Sequence, residues 1–154
     1  MIRLAEKSDI PGILVLLKDI CLIHHQVRPD IFKEGSGKFN RKSLEELLDH
    51  PNKPIYVYAD KNGQILGHLF LEFKIPDSPV RLPYKSLYVE DLCVSEASRG
   101  QGVGKALMSF AENLARENGC YNLTLNVWNA NKSAYDFYLG LDFIPQQTQM
   151  ERIL

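Results

Sequence analysis

Little in the sequence ties it to an oxidising compartment, a membrane or a nucleic acid. It holds 3 cysteines in 154 residues. Cys21, Cys93 and Cys120 sit in apolar surroundings, with no C-x-x-C pair and no histidine at ligand spacing. So odd and scattered a set argues against a disulfide framework and against a metal site. Reduced core thiols and a cytoplasmic location are expected. Neither sign of charge dominates, since 18 Lys and Arg meet 19 Asp and Glu for a net charge of −1. A nucleic-acid or membrane-surface partner is therefore not expected, because either would leave a basic excess. No stretch reaches the ~18 consecutive apolar residues of a membrane span, and Met1 to Glu6 has no leader pattern. Repeats, low-complexity tracts and linkers are missing as well. What remains is a chain that is 45% hydrophobic, enough for one domain over residues 1–154 with a sizeable core.

In chain order, Ile2 to Ala5 alternates as a short strand. Ser8-Asp9 then reads as a helix cap, with Pro11 in the first turn. Ile10, Ile13, Leu14, Leu17, Ile20, Cys21 and His24 share one face of a long first helix. His25 through Asn40, with its Gly35-Ser36-Gly37, reads as an irregular loop holding at most one helical turn. Ser43-Leu44-Glu45-Glu46 has the form of a capping box before a short second helix. Ile55–Ala59 and Ile65–Phe73 are β-rich, and Asn62-Gly63 between them is a hairpin signal. A proline-punctuated loop from Ile75 to Pro83 leads to a fourth strand, Leu87 to Val94. Leu123–Trp128 is a further strand, Asn131–Leu141 a short helix, and Phe143–Ile153 one or two closing strands around Pro145. This order predicts an α+β fold with a mixed, mostly antiparallel central sheet flanked by helices.

The most informative stretch is Arg99-Gly100-Gln101-Gly102-Val103-Gly104-Lys105. It joins the fourth strand to a third helix whose apolar face runs through Ala106, Leu107, Phe110, Ala111 and Leu114 to a stop at Asn118-Gly119. Free amides at such a helix start suit a phosphate or pyrophosphate. A Walker A loop needs Gly where Arg99 stands and Ser or Thr where Ala106 stands, so a nucleotide P-loop is excluded. A dinucleotide fingerprint lacks its third small residue at Lys105 or Leu107. Taken alone, the loop is equally compatible with a ligand-free strand-to-helix turn.

Arg99, Gly102 and Gly104 fill R-x-x-G-x-G after Leu92-Cys93-Val94. One strand later Asn131, Ala134, Phe137 and Tyr138 fill N-x-x-A-x-x-F-Y. Together these resemble the motifs of the GNAT superfamily of N-acetyltransferases. Glu90-Asp91-Leu92 with Val94 is similar in wording to its polyamine and diamine branch. One position departs from the pattern, with Asp142 where the family has Gly before Phe143. Asp tolerates the left-handed turn expected there better than most residues.

The resemblance implies acetyl-CoA as cofactor, bound at the junction of the fourth strand and third helix. The backbone of Leu92, Cys93 and Val94 would meet the acetyl and pantetheine. Arg99 and the backbone of Gln101, Gly102, Val103, Gly104 and Lys105 would meet the pyrophosphate, and Asn131 would bind pantetheine. It also implies a homodimer and direct transfer of acetyl to an amine. The chemistry needs a neutral amine and a proton for the departing thiolate. A Tyr, with a reference pKa near ~10, keeps its proton where a thiol of about 8.5 leaves. Tyr138 is thus the candidate general acid. Glu90 stands first as acceptor-binding group or water-relayed base, and Asp91 second, because a carboxylate in so apolar a strand needs a partner or a task. Strict alternation places Tyr88, Glu90, Leu92 and Val94 on one face of that strand, with Asp91 and Cys93 on the other. His24, His25, Arg28 and Asp30 fall in the region that, by the resemblance, often walls the acceptor site, but as lone residues they read as capping and surface groups, and none is a catalytic candidate. The expected acceptor is a small-molecule amine. A catalytically silent acyl-CoA-sensing module, a protein N-terminal or lysine acetyltransferase and a phosphate-binding structural domain stand as alternatives.

Overall fold

In the computed structural model, which describes residues 1–35 and 37–154, the strands are β1 (Ile2–Leu4), β2 (Ile55–Ala59), β3 (Ile65–Lys74), β4 (Ser86–Val94) and β5 (Asn122–Leu125). The helices are α1 (Ile10–Val27), α2 (Arg41–Leu48), α3 (Val103–Glu117) and α4 (Lys132–Leu139). Ser36 lies outside the described residues. The sheet runs β1-β2-β3-β4-β5, antiparallel throughout except for the parallel β4–β5 pair. The mixed, mostly antiparallel α+β architecture read from the sequence is the one observed.

Alternation along the strands makes two cores, one on each face of the sheet. Phe70, Ile55 and Val57 turn toward α1 and α2, where they bury Ile10, Ile13, Leu17 and Leu44. Leu69, Leu71, Leu87 and Val89 turn the other way, onto Val103, Leu107, Met108, Ala111 and Ala115 of α3. Each fully buried Leu or Ile of this kind contributes roughly 1.5–3 kcal/mol relative to exposure. The stretch Lys7–Val27 is by length and composition apolar enough to cross a membrane, with a hydropathy of 1.4. Its Ile10, Ile13, Leu16 and Leu17 are spent on the sheet instead. The start of α1 is held by Asp9, whose carboxylate accepts from Arg3 at 2.6 Å and from the Glu6 amide at 2.8 Å. The Arg3 guanidinium keeps that carboxyl below its usual range despite burial.

Four boundaries differ from expectation. The first helix continues through His25 to Val27, so the irregular loop begins at Arg28, and a tight turn there closes where the Phe32 amide meets the Arg28 carbonyl. The second helix is capped three residues earlier than Ser43 suggested. Asn40 Oδ1 accepts from the Ser43 amide, and Ser43 Oγ accepts from the Asn40 amide, each at 2.9 Å. Strand β5 ends at Leu125, three residues short of Trp128. The closing strands over Phe143–Ile153 do not form. Pro145 removes a donor there, and Ile144 and Ile153 stay in solvent, so no burial rewards pairing. Asp142 does take the left-handed conformation, at φ 63°.

Candidate active site

The site begins with a register slip. On β3 and β4, Phe70 faces Asp91, but the next residue, Leu71, faces Val89. Glu90 is therefore the extra residue of a β-bulge. The slip reverses the alternation of β4 partway along. Leu87 and Val89 before it, and Leu92 and Val94 after it, all pack on the α3 side. Asp91 and Cys93 face the α1 side opposite Phe70 and His68, and Glu90 reaches Lys38 of the α1–α2 loop. The two-face assignment expected from strict period two fails at this point. Glu90 does not share a face with Leu92 and Val94, because a bulge sets two consecutive side chains on nearly the same side.

Beyond the bulge the sheet opens. β5 pairs with β4 only from Ser86 to Val89, against Asn122 to Leu125. From Glu90 to Val94 the β5 edge of β4 has no strand beside it. Main-chain groups turned that way need another partner, and an extended amide-bearing ligand supplies one. Arg99 Nε reaches the Val94 carbonyl at 3.4 Å and closes the end of the strand.

The glycine loop finishes the opening. Gly102 is the N-cap of α3 at φ 83°, a conformation that Gly adopts without the Cβ penalty, and it offers no side-chain cap to the helix. The Ala106 amide takes the Gly102 carbonyl, which leaves the amides of Val103, Gly104 and Lys105 without helical acceptors. Lys105 is exposed beside them, and Gln101 is tied back through Nε2 to the Ala97 carbonyl at 2.8 Å. Gly104 lies inside the helix, where a Cβ would sit 3.4 Å from Phe137 Cζ, so α3 and α4 are in contact at this point. Three amides at a positive helix end with a flanking cation fit a pyrophosphate, and the unpaired β4 edge fits an acyl-pantetheine arm. A cleft of about 270 Å³ continues from Lys105 along α3 to Asp142 and Phe143.

Of the side chains singled out in the sequence, Glu90 and Cys93 stand on β4, and Asn131 and Tyr138 on α4, which meets Gly104 through Phe137. Asn131 caps α4, its Oδ1 accepting from the Ala134 amide at 3.2 Å, which leaves its Nδ2 for a ligand. Tyr138 is the penultimate residue of α4, between Phe137 and Phe143, and burial first, then the charge of Asp91, push its phenol above the ordinary range. Glu90 accepts from the Lys38 ammonium at 2.7 Å. Cys93 is buried, its thiol donating to the Leu16 carbonyl at 3.4 Å, and burial raises its pKa to about 12.

His24 stacks on Phe32 with centroids 5.0 Å apart, and Phe32 meets the edge of Trp128 at 5.5 Å. Arg28 lies over Trp128 and pairs with Asp30 and Glu151. Burial lowers the His24 pKa, while Asp91 pulls it up and Lys38 pushes it down, which puts this aromatic wall within electrostatic reach of Asp91 and Lys38. His25 turns away, with Nδ1 at 2.8 Å from the Phe32 carbonyl.

One site residue was missed. His68 is fully buried, and its Nε2 lies 2.6 Å from Asp91 Oδ2. A lone His in the apolar run Leu66 to Leu71, two strands from any signal of its own, could have been paired with a strand carboxylate only by knowing the bulge.

Residues 24–143 match the Acetyltransferase (GNAT) family. Thialysine N-epsilon-acetyltransferase of Bos taurus is 27% identical over 151 residues, covering 92% of this chain and 82% of its own. A mutant of the BH1408 protein of Bacillus halodurans superposes with a TM-score of 0.95 at 24% identity, over 100% of this chain and 99% of its own. Glucosamine-6-phosphate N-acetyltransferase of Arabidopsis thaliana gives 0.73 at 22%, over 99% and 97%. With the splayed β4–β5 pair, the uncapped α3 and the family match over most of its length, the chain belongs to the GNAT acetyltransferase family and is an acyltransferase.

Proposed function

We propose that the protein moves acetyl from acetyl-CoA to the primary amine of a small cationic molecule, by direct attack in a ternary complex. The observation that carries this reading is the Lys38–Glu90 pair. A primary ammonium of the chain itself already rests 2.7 Å from Glu90 at the mouth of the opening. What that carboxylate holds for Lys38 it can hold for an acceptor of the same charge.

Bound there, acetyl-CoA supplies an acetyl group on a thiolate leaving group. The Val103, Gly104 and Lys105 amides bind pyrophosphate, aided by Arg99 and the Lys105 ammonium and by the backbone of Gln101 and Gly102. The backbone of Leu92, Cys93 and Val94 aligns the acyl arm, and Asn131 Nδ2 holds pantetheine. The cleft from Lys105 to Phe143 supports the same direction for the rest of the cofactor. Glu90 binds the acceptor ammonium and, directly or through water, takes its proton, with Asp91 beside it. The amine forms a C–N bond as the C–S bond breaks, Tyr138 gives its proton to the sulfur, and the second proton lost from the nitrogen passes to solvent, from which Tyr138 regains its own. The phenol of Tyr138 is protonated at neutral pH, as a proton donor must be.

A homodimer is proposed as well. It is supported by the exposed apolar residues Ile144, Met150 and Ile153 of the C-terminal segment and by β5, which is an edge strand. Light scattering reads the oligomeric state directly. For the reaction, a thiol-release assay with acetyl-CoA across a panel of amines is the test. Stimulation by primary alkylamines carrying positive charge is expected. Thiol release that no amine stimulates favours the silent acyl-CoA-sensing alternative.

A further inference from the structure

Two carboxylates stand side by side on β4, and their surroundings differ. Glu90 is held by an exposed lysine, with side-chain exposures of 49% for Lys38 and 21% for the glutamate. Asp91 is held by His68, whose side chain is 0% exposed. A surface lysine exchanges partners readily. A buried ring wedged beside Phe70, with centroids 4.9 Å apart, does not.

The other ring nitrogen of His68 narrows the choice of protonation state. Nδ1 is buried and has no hydrogen-bond partner among the described residues. An imidazolium would leave an N–H there unpaired in the interior. A protonated Asp91 donating to a bare Nε2 would leave a neutral Nδ1–H unpaired. A neutral ring that donates Nε2–H to the carboxylate leaves only a lone pair unmatched, and acceptors bear that better than donors. Nδ1 leads to no second group, so a proton arriving at His68 has nowhere to go.

We infer that His68 is a positioning residue: as the neutral ring with Nε2–H donated to Oδ2, it fixes Asp91 as the permanent carboxylate of the site, while Glu90 is the exchangeable one that trades Lys38 for the acceptor. Oδ1 of Asp91 has no hydrogen-bond partner among the described residues, and Tyr138 and His24 both feel the charge of Asp91. This division rests on the acetyl-transfer reading above, and it separates the two carboxylates that the sequence left as rivals. The bulge is its precondition. Without the extra residue at Glu90, Asp91 would point away from His68.

Two measurements test it. In wild type at pH 7.5, nitrogen-15 NMR of the histidine rings should show His68 with Nε2 protonated and Nδ1 bare. An imidazolium or the opposite tautomer overturns the inference, whatever the enzyme acetylates, so its failure is distinguishable from failure of the proposed function. In kinetics, His68→Phe removes the donor and keeps a ring. Loss of position at a reacting centre lowers kcat on the order of 10- to 100-fold. KM for acetyl-CoA should stay within about twofold. His68→Gln, whose amide nitrogen reaches the place of Nε2, should recover most of that loss. Equal kcat in wild type and His68→Phe, or a Gln variant no better than the Phe one in a folded protein, contradicts it.

Discussion

Lys38 and Glu90, 52 residues apart in sequence, meet at 2.7 Å where the sheet opens. An exposed ion pair of this kind is worth roughly 0.2–1 kcal/mol. An acceptor that needs Glu90 must displace the lysine first. Lys38→Met should therefore lower the amine KM by about 1.5- to 5-fold with kcat little changed, as steady-state kinetics would read. An unchanged or higher KM would mean that Glu90 is not where the acceptor binds.

Tyr138 carries the proton for the leaving sulfur in this account. Tyr138→Phe keeps the ring among Phe137 and Phe143 and removes the donor, so kcat should drop by about 10²–10⁴-fold with acetyl-CoA affinity intact. Its pH signature follows from the raised pKa. Both folded and unfolded chains hold the phenolic proton below ~10, and above that the unfolded chain loses it first. Stability from this group is complete below the unfolded value and is lost as pH climbs through the folded one. Between pH 9 and 11.5, urea midpoints of wild type should fall further than those of Tyr138→Phe.

Gly67 of β3 lets α3 rest on the sheet. A Cβ there would stand 3.0 Å from the Cys93 carbonyl, 3.1 Å from Leu107 and 3.2 Å from Val103. Gly67→Ala has to push the first turn of α3 outward, at a cost of roughly 1–3 kcal/mol. The melting temperature should drop, and the acetyl-CoA KM should rise more than the amine KM, because that turn carries the phosphate-facing amides. A selective rise in the amine KM would place the cofactor elsewhere.

Cys93 sits on the strand that borders the proposed thioester, yet burial sets its pKa at about 12. A thiol so placed holds almost no thiolate at pH 8 and is a poor nucleophile. Iodoacetamide added to the native protein at pH 8 should leave Cys93 unmodified, as mass spectrometry of its peptide would show, and rapid labelling would reopen an acyl-enzyme route.

Elements set by local pattern were legible from the residues alone. The helical period from Val103 to Ala115 and the Asn62-Gly63 turn each depend on neighbours in sequence, whereas the left-handed turn at Asp142 was expected only from the family's glycine there. Tyr138 and Asn131 were singled out through motif spacing, and both stand on α4, which meets Gly104 through Phe137. What escaped depends on distant partners. The bulge at Glu90 reverses the faces of β4 but leaves no mark on composition, and His68 finds Asp91 only because of it. The closing strands looked β-rich around Pro145, but strand propensity without a surface to cover does not produce a strand. Asn40 displaced Ser43 as helix cap because both can cap, and the backbone at Asn40 is extended, at φ −110° and ψ 176°.

Direct transfer at the Glu90 opening is tested most simply by initial rates over a matrix of acetyl-CoA and the best primary amine, with the acetylated amine counted against free thiol. The account predicts lines that intersect and one acetylated amine for each thiol released. Parallel lines, or thiol release without acetylated amine, would contradict it.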